Sequence, residues 1–189
     1  MKPYLYVSVI VCSLSLLVPR LAAQEIVHAL CGTVSSINPA AKTITLFQDS
    51  GSPATFTVMS SSRTHIAFDK SIAGESTAAK EFQKQGSYAI LFYFGTNENR
   101  TAVALKNLGS GPFSSTTGEV IDWNGHDRKM SVRDKDGATH SFTIEPQTVA
   151  ETYMGVMNGA KFDPDKGEHV RIVSSKTGGS PTALFVREQ

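Results

Sequence analysis

Few residues in this 189-residue chain are spaced for chemistry. Cys31 follows His28 by three positions, which puts a thiol and a base in one short stretch. A reactive cysteine needs an activating, accessible setting, and closeness along the chain does not supply one. The plainer expectation for Cys31 is a small buried hydrophobe at the start of a strand. An exposed thiol that pairs with another chain is the alternative. Lys176-Thr177-Gly178 spells a tripeptide of penicillin-binding enzymes, yet no S-x-x-K accompanies it and there is no G-x-S-x-G. It reads as a turn at a strand end. The histidines (His28, His65, His126, His140 and His169) are scattered, without the i, i+4 spacing of a helical zinc site. Asp163, Asp165, Glu168 and His169 form the densest group of ligand types and look like half a calcium loop. They lack the third acid, the glycine at position six and the closing glutamate. A polar turn leading into a strand explains them. The expectation is no catalytic residue, no metal and no cofactor, hence a protein that is not an enzyme.

The N-terminus bounds where such a protein works. Lys2 is followed by an almost wholly apolar run, Leu5 to Val18, and then by Leu21-Ala22-Ala23. Positive start, apolar centre and small residues before a cleavage point are the order of a secretory signal peptide over residues 1–23. The apolar run is about 14 residues, short of the roughly 20 that span a bilayer. A periplasmic or secreted protein with no membrane span after cleavage is expected, a retained anchor being the alternative. Cleavage after Ala23 removes Lys2 and Arg20 and turns the formal charge from +1 to −1. Neither a polyanion nor a polycation finds a field to hold it, so nucleic acid is not an expected partner. Cleavage also removes Cys12, leaves Cys31 alone and excludes an intramolecular disulfide. The sequon Asn99-Arg100-Thr101 is expected to be idle.

The organisation of the chain comes from a repeat. Residues 31–46, CGTVSSINPAAKTITL, and residues 117–132, TGEVIDWNGHDRKMSV, align at an offset of 86. Gly32 then matches Gly118, Val34 matches Val120, Ile37 matches Trp123, Ile44 matches Met130 and Leu46 matches Val132. Phe56-Thr57-Val58 follows suit against Phe142-Thr143-Ile144. Near the ends the offset becomes 81: Gly86 to Leu91 matches Gly167 to Ile172, and Thr101 to Lys106 matches Thr182 to Arg187. Alternation of apolar and polar residues makes these segments strands, with Asn38-Pro39, Asn124-Gly125, Asp49-Ser50-Gly51 and Asp136-Gly137 as turns. Between the third and fourth strands, Ser76 caps an expected helix, Thr77 to Gln85, ended by Gly86. Tyr153 to Lys166 fills that place in the second copy, with Gly155, Gly159 and Pro164 leaving room for a shorter helix at most. The predicted fold is mainly β: two tandem five-stranded OB-like barrels, the first with one short helix between strands three and four. Domain bounds are 24–107 and 117–189, joined by a Gly/Ser/Pro-rich linker, 108–116.

The pattern G-x-V-x-x-[I/W]-N-x(5)-[I/M]-x-[L/V], followed by a strand, an insert, G-x-x-[A/V]-x-[L/I] and a closing strand, resembles an exported bacterial domain-of-unknown-function family of small β-barrels. The match covers 31–106 and 117–187. Members often carry an acid just after the glycine that opens the fourth strand, where the first copy has Ser87. The resemblance implies export and a barrel fold and transfers no catalytic residue.

Comparison of the two copies also isolates one surface. In the fourth strand, Ala89, Leu91 and Tyr93 match Val170, Ile172 and Ser174 as the core face. The opposite face carries Ile90, Phe92 and Phe94 in the first copy against Arg171, Val173 and Ser175 in the second. Burial of Phe92 and Phe94 is worth roughly 2 kcal/mol each, so something covers them. Candidates within the chain are the expected helix, the segment Ile26-Val27-Leu30 and the second barrel; outside it, a partner or a second copy of this chain. The expected function is non-catalytic binding of a protein partner or envelope component through barrel surfaces, with Ile90, Phe92 and Phe94 as its surface. A small-ligand or metal-binding protein using a barrel mouth or the cleft between repeats is the alternative.

Overall fold

A computed structural model describes residues 26–49, 51–58, 85–96, 99–175 and 180–189. Its elements are almost all strands: β1 (His28–Asn38), β2 (Thr43–Gln48), β3 (Pro53–Val58), β4 (Tyr88–Phe94) and β5 (Thr101–Gly109), then β6 (Phe113–Asn124), β7 (Lys129–Asp134), β8 (Thr139–Thr152), β9 (Gly155–Asn158), β10 (His169–Ser175) and β11 (Thr182–Glu188). One 3-10 turn, Gly159–Lys161, follows β9. The first five strands close into a barrel in the order β1-β2-β3-β5-β4. The parallel pairing of β3 with β5 supplies the closure, with Thr57 opposite Thr101. The remaining strands form a six-stranded sheet ordered β11-β10-β6-β7-β8-β9, in which β11 also pairs in parallel with β8. Among the described residues no helix is long and apolar enough to cross a membrane.

Local geometry recurs at the spacing seen in the sequence. Gly32 faces Gln48, and Gly118 faces Asp134. A Cβ on Gly32 would stand 2.5 Å from the Phe47 carbonyl oxygen, and one on Gly118 would meet the Arg133 carbonyl closer still. Only glycine lets the neighbouring strand approach this near. The register of β1 on β2 slips between Val34 and Ser36, and that of β6 on β7 between Val120 and Asp122. Each slip widens the strand by one residue and sharpens the bend. Lys42 and Arg128 both adopt left-handed backbone, φ 52° and 53°, and their carbonyls accept the N–H of Val58 and of Ile144 at 2.7 and 2.9 Å.

Apolar alternation places two internal cores. Ala89, Leu91 and Tyr93 pack with Ile44, Leu46 and Phe56 inside the barrel. Val170 and Ile172 pack with Val120, Met130, Phe142 and Ile144 in the second half. A third cluster lies between the halves. It joins Ala29, Cys31, Ile90, Phe92 and Ala104 to Val149, Val173 and Phe185. Strands β4 and β10 are therefore buried on both faces, which their continuous apolar runs allow.

Several expectations need correction. The linker 108–116 shrinks to Ser110–Pro112, because β5 runs on to Gly109 and β6 starts at Phe113. Leu108 and Phe113 pack against the cluster between the halves, so the segment is held by apolar contact. The insert of the second half is a hairpin: β8 continues to Thr152, turns at Tyr153-Met154 and returns as β9. Its buried run, Thr148 to Thr152, is apolar and β-branched enough to extend the strand. The helix expected over Thr77 to Gln85, with its Ser76 cap, lies outside the described residues except for Gln85, as does the Lys176-Thr177-Gly178 turn.

Candidate functional site

The face expected to meet a partner is an internal interface. Ile90 and Phe92 are fully buried, facing Val149, Val173 and Phe185 of the second half, and Phe94 is half-buried. A face with no exposed area offers nothing to a second protein, so Ile90 and Phe92 do not form the partner surface. Cys31 joins the same cluster. Burial pushes its thiol up to about 12, with a hydrogen bond to Tyr88 pulling the other way. It is the buried hydrophobe of the first reading, and no exposed thiol is offered to another chain.

The interface is edged by charge. On one side, β8 and β11 run parallel with Glu151 beside Arg187, and β1 begins opposite them. The Glu151 side chain is 6% exposed. Its Oε2 accepts the backbone N–H of Ala29 at 3.1 Å, and its Oε1 lies 3.2 Å from His28 Nδ1. Arg187 Nε stands 3.9 Å from Oε2. Burial raises the Glu151 carboxyl, against the opposing pull of Arg187, the Ala29 N–H and His28. Burial also raises the Tyr93 hydroxyl, and the charge of Glu151 adds to it. His28 lies beside Tyr93, ring centroids 5.7 Å apart. Next to this group the N–H of Val156 donates to the Val27 carbonyl at 3.0 Å, which ties β9 to the start of the first half.

A cleft of about 580 Å³ opens here, its lining including His28, Glu151, Tyr153, Glu168, Arg187 and Glu188. Its volume is that of small-molecule sites. A second cleft of about 540 Å³ lies across the C-terminal end of β11, lined by Asp49, Ser115, Thr117 and Arg171. There Arg171, 8% exposed, donates from Nη2 to Asp49 Oδ2 at 2.5 Å and from Nε to Ser115 Oγ at 3.2 Å. Tyr88 donates its hydroxyl to the same Asp49 oxygen and stacks on Phe113 at 5.0 Å. Arg171 thus ends the polar face expected of β10 in a bridge to the first half.

Of the ligand-type group, Glu168 and His169 line the first cleft. Asp163 lines neither and accepts the indole N–H of Trp123 at 2.7 Å. Among the described residues no three His, Cys, Asp or Glu side chains are grouped to hold a metal ion. Glu151 went unnoticed in the sequence, and Asp49 and Arg187 were read only as a turn residue and a strand end. The one available signal was an acid inside the apolar, β-branched run Thr148-Val149-Ala150-Glu151-Thr152. A carboxylate in such a run must find a partner or a function. No protein-family model matches this chain, and a comparison with curated proteins finds no match.

Proposed function

We propose that this is an exported, non-catalytic protein of two like barrels in tandem, and that it binds a small polar ligand in the cleft between them. The observation that carries the reading is the buried Glu151, which lines that cleft and is held by Ala29, His28 and Arg187. A buried carboxylate lining a concave site, with its carboxyl raised by burial, marks a candidate functional site. The pair of barrels is supported by registers, left-handed residues and glycine contacts that recur at offsets of 86 and 81. Export is supported by the order of residues 1–23, and the family resemblance agrees with both. The test uses the protein as purified from export-competent bacteria. Amide and imidazole NMR signals are followed through a panel of small amines, carboxylates and sugars. Shifts centred on His28, Ala29 and Tyr153 with at least one member, abolished by Glu151→Ala with Arg187→Ala, are expected. A panel without effect at these residues overturns the reading.

A second reading keeps a protein or envelope partner, moved to another place. Tyr153 and Met154, at the tip between β8 and β9, are 82% and 63% exposed. Ile26, 49% exposed, lies against Gly155 beside them. Exposed apolar side chains grouped in this way favour contact with another surface. Light scattering and partner capture with Tyr153→Ser plus Met154→Ser test it, and unchanged behaviour counts against it.

A further inference from the structure

The tip between β8 and β9 turns its side chains outward and keeps its backbone to itself. Tyr153 and Met154 are its exposed residues, and Ile26 lies beside them against Gly155. The Tyr153 N–H lies 3.3 Å from Glu188 Oε2, the Met154 N–H donates to Thr152 Oγ1 at 3.1 Å, and that hydroxyl donates to the Gly155 carbonyl at 3.3 Å. A turn whose backbone groups are answered inside the protein loses little on entering an apolar medium. Its side chains suit the edge of such a medium. The Tyr ring is apolar with one polar handle, and the Met thioether is pliant.

The course of the chain points to which medium that is. Ile26 follows the apolar run Leu5 to Val18 by eight positions. Eight steps of fully extended chain reach at most about 29 Å. On the export reading that run meets a lipid bilayer before cleavage, which brings this end of the protein to the same surface. Glu151, Glu168 and Glu188 line the cleft beside the tip with one guanidinium, Arg187. Such a balance does not draw anionic headgroups, so apolar contact is the attraction.

We propose that the Tyr153-Met154 tip, together with Ile26, docks on a lipid bilayer as a second contact beside the N-terminal apolar segment. The inference rests on the reading of this tip as a contact surface and names a membrane as the envelope component. A few apolar side chains hold a bilayer weakly by themselves and add to an anchor already in place.

The test uses the full chain, made by cell-free synthesis so that its N-terminal segment is retained, in phosphatidylcholine vesicles. An environment-sensitive dye is attached at Met154→Cys or at Asp136→Cys in a Cys12→Ser background, where the buried Cys31 stays unlabelled. The two positions lie beyond opposite ends of the fourteen-residue β8. Dye at position 154 is expected to shift to shorter wavelength and to lose intensity to lipids that carry a nitroxide near the headgroup. Dye at position 136 should do neither. Tyr153→Asp should return the dye at 154 to its wavelength in water while the chain still floats with the vesicles. Raised salt should leave the shift in place, and its loss in salt overturns the apolar contact. Dye at 154 that stays in water on floating vesicles overturns the bilayer, and the scattering and capture experiment above then decides whether the tip meets a protein. Equal shifts at both positions overturn it too, because they report a chain spread on lipid and not a docked tip. A chain that fails to float with the vesicles overturns it as well.

Discussion

The carboxylate of Glu151 accepts the backbone N–H of Ala29 at 3.1 Å, across 122 positions of chain. One side chain of the second half thereby completes the hydrogen bonding of the first strand of the first half. Glu151 also lines the cleft, so one residue joins the two halves and borders the proposed site.

Glu151 sets a pH dependence. Its folded carboxyl is raised, chiefly by burial. A raised acid favours the folded state when protonated. That contribution is fully present below the ordinary carboxylate range and is lost as pH rises through the raised folded value. Glu151→Gln keeps an acceptor for Ala29 and removes the titration. The stability difference, wild type minus variant, should therefore shift in favour of wild type as pH falls from neutral into the acid range. Urea unfolding at a series of pH values measures it, and a shift in the opposite direction contradicts the account.

The apolar interface should bind the halves into one folding unit. Phe92→Ala and Phe185→Ala each remove a fully buried ring from the shared cluster. Each should cost about 3–5 kcal/mol, and the double variant less than the sum because the two sites share neighbours. Denaturant unfolding followed in both halves checks this. Loss confined to one half would show that the two halves unfold independently.

The matched glycines should behave alike. Gly32→Ala and Gly118→Ala each drive a methyl into a neighbouring strand carbonyl. Each should lose roughly 1–3 kcal/mol, the range of overpacked positions, or more because backbone cannot yield as a side chain can. Thermal unfolding of the two variants measures the loss, and a neutral outcome at either position argues against equivalent roles.

Cys31 should be silent. With its thiol raised to about 12, only about one molecule in ten thousand carries thiolate at pH 8, and the side chain is buried. Alkylation with iodoacetamide should be negligible in the native protein and rapid after unfolding. Fast native labelling would place the thiol at the surface.

Much of this architecture was legible beforehand. Alternation marked Ala89, Leu91 and Tyr93 as inward, and the copies agreed on Val170 and Ile172. The alignment also marked Ile90 and Phe92 as a covered face, but pattern gives a face and not its occupant. Val173 and Phe185, which cover it, look like ordinary strand residues. The site was harder to read. Glu151 and Arg187 are 36 positions apart and meet only because β8 outruns its counterpart β3, six residues against fourteen, and pairs in parallel with β11. No local period encodes such a pairing. The hairpin at Tyr153-Met154 was hidden for a related reason: buried on both sides, Thr148 to Thr152 lacks the alternation that announces a strand.

The Ala29 amide tests the central claim most directly, because it donates to Glu151, a residue that lines the cleft. In a nitrogen–proton correlation spectrum of the whole protein, this signal should move as at least one small ligand of the panel is added, together with the His28 ring and in saturable fashion. An Ala29 signal that stays fixed while every ligand is titrated to excess would contradict a binding site at the junction.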